Sequence, residues 1–230
     1  MNTDNMAISG ETIDYGPCAF MDEYDPKTVF SSIDRGGRYS YGNQPVIAQW
    51  NLLRLAETLL KLIDPDADKA VALATEALDP FMDQFDELFL AGMRRKIGLS
   101  TAEDGDAGLV RDLLRWMQQE RADFTLTFRR LAEDLDKLPE EWRIAWTARL
   151  ARDPQSPEER ATHMLEANPA FIPRNHRVDV ALKAAEKGDY APFFKLLQIL
   201  QRPYEDQPEA REYEHPPRPE ERVLQTFCGT

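Results

Sequence analysis

Cysteine is nearly absent from this chain, with only Cys18 and Cys228 among its 230 residues. Two cysteines cannot build a disulfide framework or a cysteine-rich zinc module. Long apolar runs are missing as well, because no stretch approaches the roughly 18 apolar residues of a membrane-spanning helix. The first 20 residues lack both a basic start and an apolar stretch, so no secretory signal is visible. We therefore expect a soluble, cytoplasmic protein that does not engage a membrane.

An excess of basic residues is also absent. The chain has 41 acidic and 28 basic residues, for a net charge of −13. That sign argues against nucleic acid or an anionic membrane surface as the main partner. It does not argue against ATP, because a local magnesium site can overcome a global negative charge. With 42% hydrophobic residues the chain can bury a core, which excludes a wholly disordered protein.

Three regions differ in composition. Residues 1–45 contain glycines and prolines at short intervals, which predicts a long irregular segment. Residues 46–200 contain apolar residues at helical spacing. Residues 201–230 are rich in proline and charge, yet they end in the apolar run Val223–Cys228, which we expect to dock on the body of the protein.

Helical periodicity dominates the middle region. Two neighbouring apolar stripes between Pro45 and Pro65 predict a central, well-covered helix. Asp79 is predicted to cap the third helix, with Pro80 at its first position. Ser156 opens a capping-box sequence before a later helix. The pattern predicts seven or eight helices and almost no sheet, a mainly α fold. Beyond that first helix, the predicted segments are 68–78, 80–97, 109–135, 139–150, 157–168, 178–187 and 190–200.

The most specific chemical signal lies in the first sixteen residues. Asp4 and Asn5 precede the triplet Asp14-Tyr15-Gly16 by nine to ten positions. In protein kinases an asparagine and the aspartate of an Asp-Phe-Gly triplet hold the magnesium ions on ATP. The spacing alone leaves a simpler alternative open, a turn in which Asp14 caps and Gly16 supplies a positive φ.

Four separate motifs in this order resemble the SelO family. They are Met1–Met6 with Thr12–Pro17, Gly37–Tyr41 with Asn43–Pro45, Asn168–Pro169 through Arg174-Asn175-His176, and a cysteine third from the end. The resemblance spans the whole chain. It implies the helical C-lobe of a protein-kinase-like fold plus a C-terminal helical extension, with the N-terminal β-rich lobe absent.

The resemblance also implies an activity. SelO-type proteins transfer AMP from ATP to Ser, Thr or Tyr hydroxyls of other proteins, using ATP in a flipped orientation. Carried over by position, Asn5 and Asp14 are the Mg²⁺ ligands, and Asp14 also lies near the ATP. Asp4 matches the family's proton acceptor. The expected partners are therefore ATP and protein substrates.

Other active-site parts of the family do not occur in this sequence. The glycine-rich phosphate loop, the ATP-contacting lysine and its glutamate partner all precede the position that Met1 matches. We therefore expect the isolated chain to be inactive, although it belongs by resemblance to an enzyme family. A competing hypothesis is a helical protein-interaction module without nucleotide chemistry, in which residues 1–45 dock on a partner.

Cys228 matches the position where family members carry selenocysteine or cysteine. In the family this residue is linked to redox control, in part through a bond to a cysteine of the activation segment. Here that segment contains Cys18, whereas the family's pairing cysteine lies farther along, near the position of Phe30. Cys18 and Cys228 are thus candidate redox residues, and their pairing stays open.

Overall fold

The fold is built from helices. A computed structural model describes residues 3–11, 19–131, 133 and 135–226, and within them no β-strand occurs, so the predicted mainly α class is confirmed. No helix in these ranges is long and apolar enough to cross a membrane. The helices are α1 Gln44–Ile63, α2 Ala67–Leu78, α3 Phe81–Lys96, α4 Asp106–Glu120, α5 Phe124–Arg130, α6 Glu140–Leu150, α7 Pro157–Ala167, α8 Asn175–Ala185 and α9 Ala191–Leu200.

The described residues fall into two compact units. The first unit contains residues 3–11 and 26–89, and the second contains residues 19–25 and 90–226. This division rests on spatial contacts, and the regions predicted from composition, 1–45, 46–200 and 201–230, stay a prediction.

In the first unit, α1 packs against α2. Helix α1 carries Pro45 in its first turn, where the missing N–H costs nothing. It ends at Ile63, and Asp64 is extended because the following Pro65 disfavours a helical residue before it. Buried positions are few here, and α1 buries only Ile47 and Asn51.

The predicted helix boundaries at Asp79 and after Glu120 are wrong. Asp79 does not cap α3, because its N–H continues the last turn of α2 to the Thr75 carbonyl and its backbone is helical. The single helix expected over 109–135 is broken after Glu120. Arg121 adopts a left-handed conformation with φ of 52°, and Asp123 then caps α5 by accepting from the Leu126 N–H.

The second unit has a dense core with a buried ionic cluster. Asp106 is fully buried and accepts hydrogen bonds from Arg94 (2.7 Å) and Arg149 (2.7 Å). Burial by itself would raise the pKa of Asp106, but hydrogen bonds from Arg149 and the Glu103 backbone hold that pKa below its ordinary value. Asp153, also buried, accepts from both the N–H and the hydroxyl of Ser100. These pairs tie α3, α4 and α6 together.

The proline-rich tail is ordered over its described part. A 3₁₀ helix at Pro208–Tyr213 buries Ala210 completely against Phe171 and Ile199. The tail therefore packs on the body of the protein through Pro208–Tyr213, which precedes the apolar run that was expected to dock. Leu224, expected to help hold the end against the body, is 88% exposed.

Candidate active site

The turn that contains Asp4 and Asn5 is a 3₁₀ helix, Thr3–Asn5, and both side chains are exposed. A second turn follows, in which the Gly10 N–H donates to the Ala7 carbonyl at 3.2 Å. Gly10 has a φ of 71°, a conformation that a residue with a side chain would adopt only under strain. Two of the predicted site residues are thus neighbours in a short, folded segment with their polar groups open to solvent.

This segment lies against α1 within the first unit. The Asn51 amide nitrogen approaches the Met6 sulfur at 2.7 Å. Beside that contact is a cavity of about 540 Å³, which we call the N-terminal groove. It is lined by Thr3, Met6, Ala7 and Ile8 and, across from them, by α1 residues Trp50, Asn51, Leu52, Arg54, Leu55, Glu57 and Thr58.

The Gly37–Tyr41 motif is also placed beside α1. The Asp34 carboxylate accepts from the backbone N–H groups of Arg38 and Tyr39, each at 2.8 Å. The Arg38 guanidinium then lies 4.6 Å from the centre of the Trp50 ring, and Arg54 lies 5.3 Å from it. Such cation–π contacts fix the indole ring at the edge of the N-terminal groove.

Three predicted site residues, Asp14, Cys18 and Cys228, lie outside the described residues. The predicted convergence of Asn5 and Asp14 on one metal ion therefore stays a prediction. The donor set itself fits magnesium, since an amide oxygen and carboxylate oxygens are the hard ligands that Mg²⁺ prefers.

The chain that follows Cys18 is held firmly within the second unit. The Asp22 carbonyl accepts from the Phe124 N–H at 2.7 Å, and the Tyr24 N–H donates to the Ala122 carbonyl at 2.9 Å. The Tyr24 and Phe124 rings stack with their centres 5.7 Å apart. Residues 19–25 therefore run alongside the start of α5.

A buried arginine completes this arrangement. The Arg174 side chain is fully buried and contacts the carboxylates of Asp22 and Asp123. Burial raises the pKa of Asp22, and the neighbouring Arg174 opposes that rise. His176, in the first turn of α8, is buried too, and burial lowers its pKa. Sequence reasoning noted Arg174 only as part of a family motif and gave no role to Asp22 or Asp123.

Comparison with known proteins identifies the family. The model of the family described as "Protein adenylyltransferase SelO" matches residues 1–201. The chain therefore belongs to the SelO family.

Curated relatives carry the name "Protein nucleotidyltransferase YdiU". The protein of Rhizobium rhizogenes (strain K84) is 58% identical over 248 residues, covering 100% of this chain and 49% of the relative. The protein of Rhizobium meliloti (strain 1021) is 59% identical over 246 residues, covering 100% of this chain and 50% of the relative. The chain thus spans about half the length of the curated relatives it matches.

Proposed function

We propose that this chain supplies the metal-binding segment and the helical lobe of a protein adenylyltransferase. The enzyme uses ATP and Mg²⁺ and transfers AMP to Ser, Thr or Tyr hydroxyls of proteins. The observation that carries this proposal is the adenylyltransferase family match over residues 1–201. The exposed Asp4-Asn5 turn at the edge of the N-terminal groove supports it.

Each site residue has a distinct role in the proposal. Asn5 and Asp14 hold Mg²⁺, which when bound neutralises phosphate charge, and Asp14 also lies near the ATP. The acceptor hydroxyl oxygen forms a bond to the α-phosphorus, and pyrophosphate leaves. Asp4 takes the hydroxyl proton. Its exposed carboxylate, next to Asn5 in the chain, is open to an approaching protein substrate.

The isolated chain is not expected to catalyse this reaction. No glycine-rich phosphate loop or lysine–glutamate pair of the family type occurs in the sequence. Positioning and charge stabilisation supply most of the catalysis in phosphoryl-group chemistry. The curated relatives have about twice the length, so the other half of such a protein is the proposed source of these parts.

The test uses the chain joined to the N-terminal half of the R. rhizogenes relative, which we call the assembled protein. Transfer is followed with α-³²P-labelled ATP onto protein. Asp14→Ala and Asn5→Ala are expected to lower transfer by about 100-fold or more, the range seen when one preorganised charge-stabilising group is lost. Glu11→Gln removes an exposed acid of the same segment and should leave transfer unchanged. Transfer that survives Asp14→Ala would contradict the proposal, and partner binding without any transfer would favour the interaction module.

We also propose Cys18 and Cys228 as a redox pair in the assembled protein. Support comes from an ion pair between Arg222 of the tail and Glu23, each a few residues from one cysteine in the sequence. Mild oxidation followed by peptide mass spectrometry should yield a Cys18–Cys228 linked peptide that Cys228→Ser removes. Absence of the linked peptide, with transfer insensitive to oxidation, would contradict the pairing.

A further inference from the structure

Two arginines of α8 hold part of the tail, residues 208–222, which we call the docked tail. The Arg174 Nε donates to the Glu214 carbonyl at 2.9 Å. The Arg177 Nη2 donates to the Glu212 carbonyl at 2.6 Å. Both contacts join an arginine side chain to the main chain of the docked tail. Docking therefore depends on the charged groups in the first turn of α8.

His176 stands between these two arginines in the sequence. The residue is 4% exposed, and its Nδ1 is buried without a hydrogen-bond partner among the residues that the structure describes. A neutral imidazole has one donor and one acceptor nitrogen, whereas an imidazolium has two N–H donors and a positive charge. Burial of a charge without a partner is far more costly than burial of a neutral ring. The packing of His176 therefore favours its neutral form.

The charged groups that face His176 come from three parts of the second unit. They are Arg174 and Arg177 on α8, Asp22 on the stretch that pairs with the start of α5, and Glu221 of the docked tail. Burial has the largest effect and lowers the pKa of His176. The two arginines lower that pKa further, while the two carboxylates oppose the change.

Both carboxylates are already engaged by an arginine. Asp22 contacts Arg174, whose side chain is fully buried. Glu221 accepts from the Arg218 side chain at 2.8 Å and from the Arg218 N–H at 2.9 Å. A proton on His176 would add a third positive charge beside the two arginines of α8 and would compete for these carboxylates. The added charge is better tolerated once the docked tail has separated and water reaches the ring.

We propose that His176 is a pH-sensitive switch that releases the docked tail when its imidazole is protonated. This inference does not depend on the proposed function. In the docked form the ring is buried and neutral, and in the released form it has the ordinary histidine pKa of about 6.5. Because the released form binds the proton more tightly, the docked form is favoured above about pH 6.5 and loses stability as the pH falls below it.

Hydrogen exchange of the full chain tests the switch. Peptides from residues 208–222 give the opening constant of the docked tail at about pH 7.5 and about pH 5.5, each corrected for the intrinsic exchange rate. If the docked form stays neutral, the opening constant should rise by up to about 10-fold at the lower pH. His176→Gln should abolish the rise. The controls are His163→Gln and His215→Gln, which replace the other two histidines of the chain, both exposed, and should retain it.

Three results would overturn the inference. They are equal opening constants at the two pH values, a rise that persists in His176→Gln, and a rise that begins only below about pH 4.5, where carboxylates titrate. Asp22 cannot imitate the expected result. Burial raises its pKa, so the docked form takes up that proton more readily and acid would strengthen docking. Circular dichroism melts check the folding of His176→Gln. If it fails to fold, the pH at which opening begins in the original chain and the two control variants decides.

Discussion

The two units differ sharply in how well their helices are covered. Among the described residues, the first unit buries only Ile47 and Ala70 of its hydrophobic side chains. The second unit holds the remaining buried hydrophobic residues, together with the cluster around Asp106. Helix α1 exposes apolar side chains along its whole length: Val46, Trp50, Leu53, Leu59, Leu62 and Ile63.

The difference indicates which unit depends on further polypeptide. A helix with apolar residues around most of its circumference belongs inside a protein, and large exposed apolar patches on soluble proteins mark interfaces. The second unit has what a self-sufficient core needs. We infer that the first unit is the one that the other half of a SelO-family protein covers, with α1 and the N-terminal groove as its contact surface.

The largest expected effect concerns that surface. We expect Leu53→Glu on α1 to weaken binding of a separately produced N-terminal half by about 100-fold, because it sets a charge in an apolar contact. Leu197→Glu on α9 is the control, since both leucines are 43% exposed. Titration calorimetry with the two halves measures the effect. Equal affinities of the two variants for the N-terminal half would contradict the inference that the first unit, and not the second, provides the contact surface.

A related prediction uses the chain alone. Its exposed α1 surface should bind a hydrophobic dye or cause self-association, and addition of the N-terminal half should suppress both. Fluorescence titration and sedimentation record the change. A chain that stays monomeric and binds no dye would favour the independent interaction module.

The second unit should be sensitive to loss of its buried charges. Asp106→Ala leaves Arg94 and Arg149 without their shared carboxylate, which we expect to cost about 3–5 kcal/mol in free energy of unfolding. Asp112→Ala removes only an exposed pair with Arg115, which contributes about 0–1 kcal/mol. Urea unfolding of the two variants gives the comparison. A similarly small loss of unfolding free energy in both variants would show that the Asp106 cluster contributes little to the stability of this unit.

Acid should weaken the second unit through Asp153. Burial would raise the pKa of this carboxylate, but hydrogen bonds from Gln155 and Ser100 outweigh burial and hold the pKa far below its ordinary value. A depressed folded-state pKa gives stability that is present above the unfolded value, about 3.9, and lost as pH falls below it. The difference in unfolding free energy between the original chain and Asp153→Asn should therefore shrink below about pH 4. A constant difference from pH 7 to pH 3 would contradict this account.

The smallest expected effects come from helix caps, one in each unit. The Ser156 hydroxyl accepts from the Glu159 N–H in a capping box of α7, and Asp66 accepts from two N–H groups of α2. Ser156→Ala and Asp66→Ala should each cost about 1 kcal/mol. Thermal unfolding with and without the N-terminal half sharpens the comparison. The Asp66→Ala effect should grow on assembly if the first unit is only then fully ordered, whereas the Ser156→Ala effect should not.

Much of the helical fold could be predicted because helices leave a local, periodic signal. The end of α1 before Pro65, the Ser156 capping box and the break between α8 and α9 all follow from residues within a few positions. The break at Arg121 was missed because apolar residues continue at helical spacing across it. Only the left-handed Arg121 and the capping Asp123 mark the break between the two helices, and neither residue type is rare within helices.

The roles of the candidate site residues stay a prediction, and only some of the residues around the site left a signal in the sequence. Asp4 and Asn5 belong to a short motif, so they could be proposed by resemblance. The buried contact of Arg174 with Asp22 has no such signal, because the two residues are 152 positions apart and an ion pair imposes no periodicity on the sequence. Asp22 also lies in an acidic run that looks like an ordinary solvated loop.

The contacts of Arg174 with Asp22 and Asp123 also set an order in time for synthesis of the chain. Asp22 is made long before its partner Arg174, which also binds the Asp123 carboxylate and the Glu214 carbonyl. Long-range contacts of this kind form late because a long intervening chain must close first. A nascent chain therefore completes its helices before it fixes the segment next to the proposed metal ligand. On the ribosome, Asp22 therefore reaches its final contacts only after the 152 positions up to Arg174 have been translated.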